Sequence, residues 1–232
     1  MRSATGAAAR ELSITAGAVT LQGVLRMPPA PRGIVLFAHG SGSGRLSPRN
    51  TLVAELLGKA GFATLLFDLL TGEEEQVDAM TAELRFNIPL LTDRLVTVTR
   101  WLLEQPNLES LAIGYFGAST GAAAALAAAA RVPAVAAVVS RGGRPDLAGV
   151  ALPDVRAATL LIVGGNDREV LALNQEALAE MKCDAQLKIV PHATHLFVEP
   201  GTLEQVAALA AEWFTRYLQS PSREPAGRPA HG

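Results

Sequence analysis

The chain has 232 residues, 49% of them hydrophobic and 18% charged, with 20 basic and 22 acidic side chains and a formal net charge of −2. This apolar content excludes a wholly disordered chain, and 21 Gly and 14 Pro without a fixed period exclude a collagen-like polymer. The balanced charge gives no basic footprint for nucleic acid or an acidic membrane surface, and the length suits one α/β domain with a full core.

From the N-terminus, Leu12–Thr15 and Val19–Leu25 are short β-rich pieces that predict an antiparallel start. Residues 27–32 hold three prolines and form a connection. Ile34–Ala38 is a continuous apolar run, the pattern of a strand buried on both faces. Ser47 and Pro48 read as an N-cap and a first-turn proline. The helix they open carries Leu52, Val53, Leu56, Leu57 and Ala60 at helical spacing and closes at Gly61. Phe62–Phe67 is the next buried strand. Leu69–Asn87, with Glu73, Glu74 and Glu75, reads as a loop with a helical turn or two. Leu91, Leu95, Val98 and Leu102 then mark a helix that stops before Pro106.

Leu111–Phe116, Val135–Val139, Thr159–Val163 and Leu187–Val190 are the remaining expected strands. Ala122–Ala130 and Val170–Met181 are the helices between them. Thr202 and Gln205 suggest a capping box for a final amphipathic helix ending near Leu218. Residues 1–218 thus read as one domain, and 219–232, rich in proline and lacking an apolar run, as a disordered tail. Strands alternating with helices predict a mostly parallel sheet covered on both faces, with chemistry at the carboxyl ends of the strands.

The lone cysteine, Cys183, can form neither an internal disulfide nor a multi-cysteine zinc module, which fits a reducing compartment. Gly121–Val139 is interrupted by Arg131 and Pro133, so no membrane span is expected. The first ten residues lack the apolar run of a secretory signal. The expectation is a cytoplasmic protein with no nucleic-acid or membrane partner.

Gly117-Ala118-Ser119-Thr120-Gly121 follows a strand and opens a helix, the setting of a nucleophile elbow. A serine held in so tight a turn crowds the backbone two residues to either side, where only small residues fit. The hydroxyl needs a base. His231 falls in the tail, and His39 ends a strand, where loop shape is its expected role. His192 and His195 both follow the last strand. His195 is preferred because Leu196 and Phe197 can pin its loop. Asp167, after a strand and the Gly164-Gly165 turn, completes the chain order Ser, Asp, His; Asp68 and Asp154 are its rivals. The backbone N–H of Thr120 and that of Ser41, in the glycine-rich loop after Ile34–Ala38, are the expected oxyanion donors. That loop lacks the Gly-x-x-x-x-Gly-Lys pattern of a phosphate-binding loop. Arg141 and Arg144, after a strand, and Arg85 in the long loop are candidates for meeting an anionic group on a substrate, with a structural Arg144–Asp146 pair as the plainer reading.

These pieces resemble an α/β-hydrolase. His39-Gly40-Ser41-Gly42-Ser43, Gly117-Ala118-Ser119-Thr120-Gly121, Gly164-Gly165-Asn166-Asp167 and Ala193-Thr194-His195-Leu196-Phe197 are similar in order and spacing to the dienelactone hydrolase family. They also resemble the hydrolase-like domain sometimes joined to a phosphoribosyltransferase. Dienelactone hydrolases proper carry a cysteine nucleophile, whereas this elbow carries Ser119, so simple carboxylic esters or lactones are the expected small-molecule substrates. The resemblance implies antiparallel N-terminal strands, helices on both faces and no cap domain. It also implies a site that is open or roofed chiefly by residues 69–87, and an acyl-enzyme route with neither metal nor organic cofactor. An acyltransferase with the same nucleophile and a non-catalytic binding module are the alternative functions. A homodimer is left open.

Overall fold

The computed structural model describes residues 9–218; the expected tail lies outside them. The chain opens with a hairpin, β1 (Ala9–Ala16) and β2 (Val19–Arg26), turned at Gly17 with φ +65°. There follow β3 (Ile34–Ala38), α1 (Pro48–Lys59), β4 (Ala63–Phe67), α2 (Gly72–Thr81), a 3₁₀ turn (Leu84–Phe86) and α3 (Ile88–Leu103). The second half contains β5 (Ile113–Ala118), α4 (Thr120–Arg131), β6 (Val135–Arg141) and a 3₁₀ segment (Pro145–Asp154). It ends with β7 (Ala158–Gly164), α5 (Arg168–Glu180), β8 (Ala185–Val190) and α6 (Thr202–Tyr217).

The eight strands form one sheet in the order β1-β2-β4-β3-β5-β6-β7-β8. Pairings β1–β2 and β2–β4 are antiparallel, and every pairing from β4–β3 to β7–β8 is parallel. The sheet therefore has the mostly parallel order with an antiparallel start that the sequence predicts. β3 pairs with β4 on one side and β5 on the other, and α1 and α4, which follow β3 and β5, pack on opposite faces, so the winding reverses there. A crevice at the carboxyl ends is the geometric result.

Alternation along the strands divides the core in two. Leu36, Leu65, Tyr115 and Val138 pack with α3 and α4 on one face. Val35, Phe37, Leu66, Phe116 and Val139 pack with α1 and α6 on the other. The central strands are buried on both sides because helices cover both faces, and the apolar runs in the sequence record that. Alanines 122–125 of α4 are fully buried, and their small size lets the helix lie close to the sheet.

Two expectations need correction. Residues 69–87 are not mainly loop, since α2 fills ten of them. Thr71 caps it: its Oγ1 accepts from Glu74 N–H at 3.2 Å, and the Glu74 carboxylate accepts from Thr71 N–H at 2.8 Å. Glu73, Glu74 and Glu75 occupy the first turn, where the helix dipole favours negative charge. Conversely, Thr202 and Gln205 form no capping box. Gly201 is the N-cap with φ +80°, and the Thr202 hydroxyl donates instead to the Glu199 carbonyl at 2.7 Å. The Ser47 cap is as expected, accepting from Asn50 N–H.

His39 ties the two halves of the crevice. Its Nε2 accepts from Leu69 N–H at 2.9 Å, and its Nδ1 lies 3.0 Å from the Gly40 carbonyl, to which it donates. Burial pulls its pKa below the ordinary histidine value, against smaller opposing effects of the Gly40 carbonyl and Asp68. The ring is therefore neutral when folded. The unfolded chain binds an extra proton below about pH 6.5, so the stability from neutral burial is complete above that pH and lost below it, by up to about 1.4 kcal/mol per pH unit.

Two outcomes are expected. In His39→Gln, stability measured by urea unfolding falls less steeply between about pH 6.5 and 5 than in the wild type; parallel profiles would contradict the neutral assignment. Thr71→Ala removes the α2 cap at a cost of about 1 kcal/mol, which speeds amide exchange within 72–81 about fivefold.

Candidate active site

The elbow forms because β5 runs into α4 through one residue of unusual backbone. Ser119 has φ +51° and ψ −123°, a conformation a side chain adopts only under constraint. The constraint is packing. A Cβ on Gly121 would lie 2.2 Å from the Ala38 carbonyl oxygen, and one on Gly117 would lie 2.4 Å from the Ala122 Cα. Both glycines are thus fixed by contact, as the spacing predicts. Ser119 N–H donates to the Arg141 carbonyl at 3.3 Å, and its own carbonyl accepts from Ala122 and Arg144 N–H groups. The hydroxyl stands half-buried at the N-terminus of a twelve-residue helix.

The β3–α1 loop lies against this turn. A Cβ on Gly40 would be 3.0 Å from the Ser119 Cβ, and Ser41 Oγ lies 3.2 Å from Thr120 Oγ1. The backbone N–H groups of Ser41 and Thr120 have no acceptor among the described residues. Two unspent donors therefore flank the serine.

At the ends of β7 and β8, Asp167 and His195 meet. Asp167 Oδ2 accepts from His195 Nδ1 at 2.7 Å. Asp167 occupies the N-cap position of α5 but makes no side-chain cap bond; its carboxylate is spent on the histidine instead. The loop that carries His195 is strongly determined. Phe197 is buried at φ +54° beneath it, Thr194 donates twice to the Glu199 carboxylate, and Asn166 donates to the Ala193 and His192 carbonyls. Phe197 pins the loop as expected, whereas Leu196 is 45% exposed and pins nothing. His192 is exposed just after β8, with φ +63°, and only its carbonyl is engaged, by Asn166 Nδ2.

No hydrogen bond joins Ser119 Oγ to His195. The two are neighbours through β6: Arg141 receives the serine N–H, and a Cβ on the next residue, Gly142, would lie 3.6 Å from His195 Nδ1. Catalytic hydrogen bonds are often long before substrate arrives. Asp68, a rival acid, is engaged by Arg45 through its backbone N–H and guanidinium.

A cavity of about 520 Å³ opens beside the elbow, lined by Ser41, Thr120, Arg49, Leu69, Leu70, Glu75 and Leu91 among others. Ser119, Asp167 and His195 do not line it, so it lies on the α2 side of the hydroxyl. The roof over 69–87 is a helix rather than a loop.

The three candidate arginines differ. Arg85 is held by Asp78, with Nε donating to Oδ2 at 2.7 Å and Nη2 to the Asp78 carbonyl. Arg144 makes a two-pronged pair with Asp146, which raises its pKa. Arg141 is not in a loop: β6 runs two residues past its expected end, and Arg141 is its last residue, buried. Cys183, after α5, is a half-buried thiol whose pKa burial raises; its Sγ donates weakly to Thr159 Oγ1 at 3.8 Å. No three His, Cys, Asp or Glu side chains of the described residues are grouped so as to hold a metal ion. No described helix is long and apolar enough to cross a membrane.

The chain is similar to several known proteins. A protein of Mycobacterium tuberculosis H37Rv, provisionally named a phosphoribosyl transferase, is 61% identical over 213 residues. The match takes in 91% of this chain but 47% of that one, so the chain spans about half the length of this relative. The crystal structure of a dienelactone hydrolase from Anabaena variabilis is 57% identical, with a TM-score of 0.91 over 92% of this chain and all of that one. A dienelactone hydrolase-like promiscuous phosphotriesterase from metagenomic libraries has the same fold, with a TM-score of 0.75 at 19% identity over 92% and 99% of the two chains. The model of the dienelactone hydrolase family matches residues 21–220, and this chain belongs to that family.

Proposed function

We propose that the chain is a serine hydrolase that cleaves carboxylic esters or lactones of small substrates through an acyl-enzyme. The observation that carries this reading is the 2.7 Å bond between Asp167 and His195 Nδ1, made at the strand ends beside the elbow. It fixes the tautomer with Nε2 free to accept a proton, and it stabilises the imidazolium that forms.

Ser119 Oγ attacks the substrate carbonyl as its proton passes to His195 Nε2. The carbonyl oxygen becomes an oxyanion held by the N–H groups of Ser41 and Thr120; one such donor is worth about a hundred- to a thousand-fold in rate. The positive end of α4 adds to that stabilisation. His195 then returns the proton to the departing alcohol. Water, activated by the same histidine, releases the acid and restores Ser119. Leu69, Leu70 and Leu91 offer an apolar wall for one arm of the substrate. The dienelactone hydrolase name of the Anabaena protein, which the chain matches over that protein's whole length, supports ester and lactone chemistry.

On a panel of p-nitrophenyl esters and lactones, Ser119→Ala lowers kcat at least about 10⁴-fold. Asp167→Asn, which leaves the packing intact but permits the wrong tautomer, lowers it about 10⁴-fold. Wild-type turnover by folded Ser119→Ala would refute the mechanism.

A further inference from the structure

Helix α5 buries three residues, Val170, Asn174 and Ala177, at the spacing of one helix face. The middle one departs from what such a stripe requires. Asn174 is fully buried, and asparagine is a poor helix former. Both hydrogens of its amide are engaged: Nδ2 donates to the Val170 carbonyl one turn back at 2.7 Å, and to the Gly143 carbonyl, 31 positions away, at 3.0 Å. Its Oδ1 is sealed and meets no donor among the described residues. A buried amide answered on one side only is costly where a leucine would not be. The long-range contact that this cost maintains is the one with Gly143.

Gly143 belongs to the turn that leaves β6, residues 141–144. The Arg141 carbonyl accepts from Ser119 N–H at 3.3 Å, and Arg144 N–H donates to the Ser119 carbonyl at 3.2 Å, so the turn holds both backbone groups of the serine. Gly142 N–H donates to the Ile162 carbonyl of β7 at 2.8 Å. A Cβ on Gly142 would lie 3.0 Å from the His195 carbonyl oxygen and 3.6 Å from His195 Nδ1. A Cβ on Gly143 would lie 2.6 Å from the Ala122 Cβ, so the turn is seated on the first turn of α4. The turn is thus a spacer between nucleophile and base: its ends grip Ser119, and its middle backs the histidine ring. Glycines at 142 and 143 permit this approach but give the turn no stiffness of its own. Among the described residues, Asn174 alone hydrogen-bonds the Gly143 backbone.

We propose that Asn174 is a positioning residue for the elbow: by holding the Gly143 carbonyl it fixes the 141–144 turn, and through that turn it sets the separation of the Ser119 hydroxyl from the His195 ring. The amide touches none of the reacting atoms. Its effect is on the distance a proton must cross, where a misplacement of about 1 Å costs about a hundredfold in rate. The catalytic part of the assignment rests on the hydrolase reading above; the tie between α5 and the turn does not.

The tie and its catalytic use are tested separately. Asn174→Leu keeps the volume and removes the donor. Amide exchange, followed residue by residue by NMR, needs no turnover. The Gly142 and Arg144 amides exchange at least about tenfold faster in Asn174→Leu, while Val138, in the middle of β6, is unchanged. Unaltered protection at both overturns the tie. On p-nitrophenyl acetate the same variant lowers kcat at least about tenfold and leaves KM within about twofold. An unchanged kcat overturns the catalytic use while leaving ester hydrolysis standing. A general loosening of the elbow would persist without the histidine, whereas a separation has no meaning once His195 is gone. Adding Asn174→Leu to a His195→Ala chain therefore lowers the residual rate by less than about twofold; a further tenfold loss there overturns the assignment. Glu176→Gln, on the exposed side of α5, changes neither exchange nor rate. If Asn174→Leu fails to fold by circular dichroism, Asn174→Ala, which removes the same donor, decides by the same outcomes. If the wild type cleaves no ester, the catalytic use falls with the hydrolase reading, and exchange alone decides the tie.

Discussion

The backbone at Ser119 is the constraint on which the rest depends. A residue at φ +51° and ψ −123° costs of the order of 1–3 kcal/mol and persists only when its surroundings allow nothing else. Here they do not. Gly121 lies against the Ala38 carbonyl, Gly117 against Ala122, and the serine N–H is captured by Arg141 of the adjacent strand. Strain at one residue is thus held by three strands and a helix. The outcome is a hydroxyl lifted above the sheet edge, next to two backbone donors with no other work.

The sheet order explains why the other parts arrive. Because β3 lies between β4 and β5, the loop after β3 has room to lie against the elbow, and Gly40 meets the Ser119 Cβ. β6, β7 and β8 follow in sequence on one side, so the loops after β7 and β8 are neighbours. Asp167 and His195, 28 positions apart, meet there. Asp167 gives up a helix cap, ordinarily worth about 1 kcal/mol, to make that bond. A local preference overridden in this way is typical of functional positions.

Much of this was legible in the chain. Five-residue apolar runs such as Ile34–Ala38 mark strands covered on both faces, and Gly-x-Ser-x-Gly between strand and helix marks the elbow. What escaped has physical reasons. The α2 segment has one buried side chain, Asp78, so it lacks an apolar period; its signal is the Thr71-x-x-Glu74 box, legible but outweighed by the run of acids. The same pattern at Thr202 is empty because Gly201 already turns the chain at positive φ. A charge at the end of an apolar run marks a strand end, so the sequence places Arg141 after β6. Strand alternation continues through it, and only the assembled sheet reveals that its charge is buried.

The central claim is that Ser119 is a nucleophile activated by its neighbours. Treatment of the folded chain with a fluorophosphonate, followed by peptide mass spectrometry, tests it most directly. The account predicts one phosphonylated residue, Ser119, with labelling slowed by orders of magnitude in His195→Ala. A folded protein that stays unmodified at Ser119, or is modified there equally fast without His195, would contradict it.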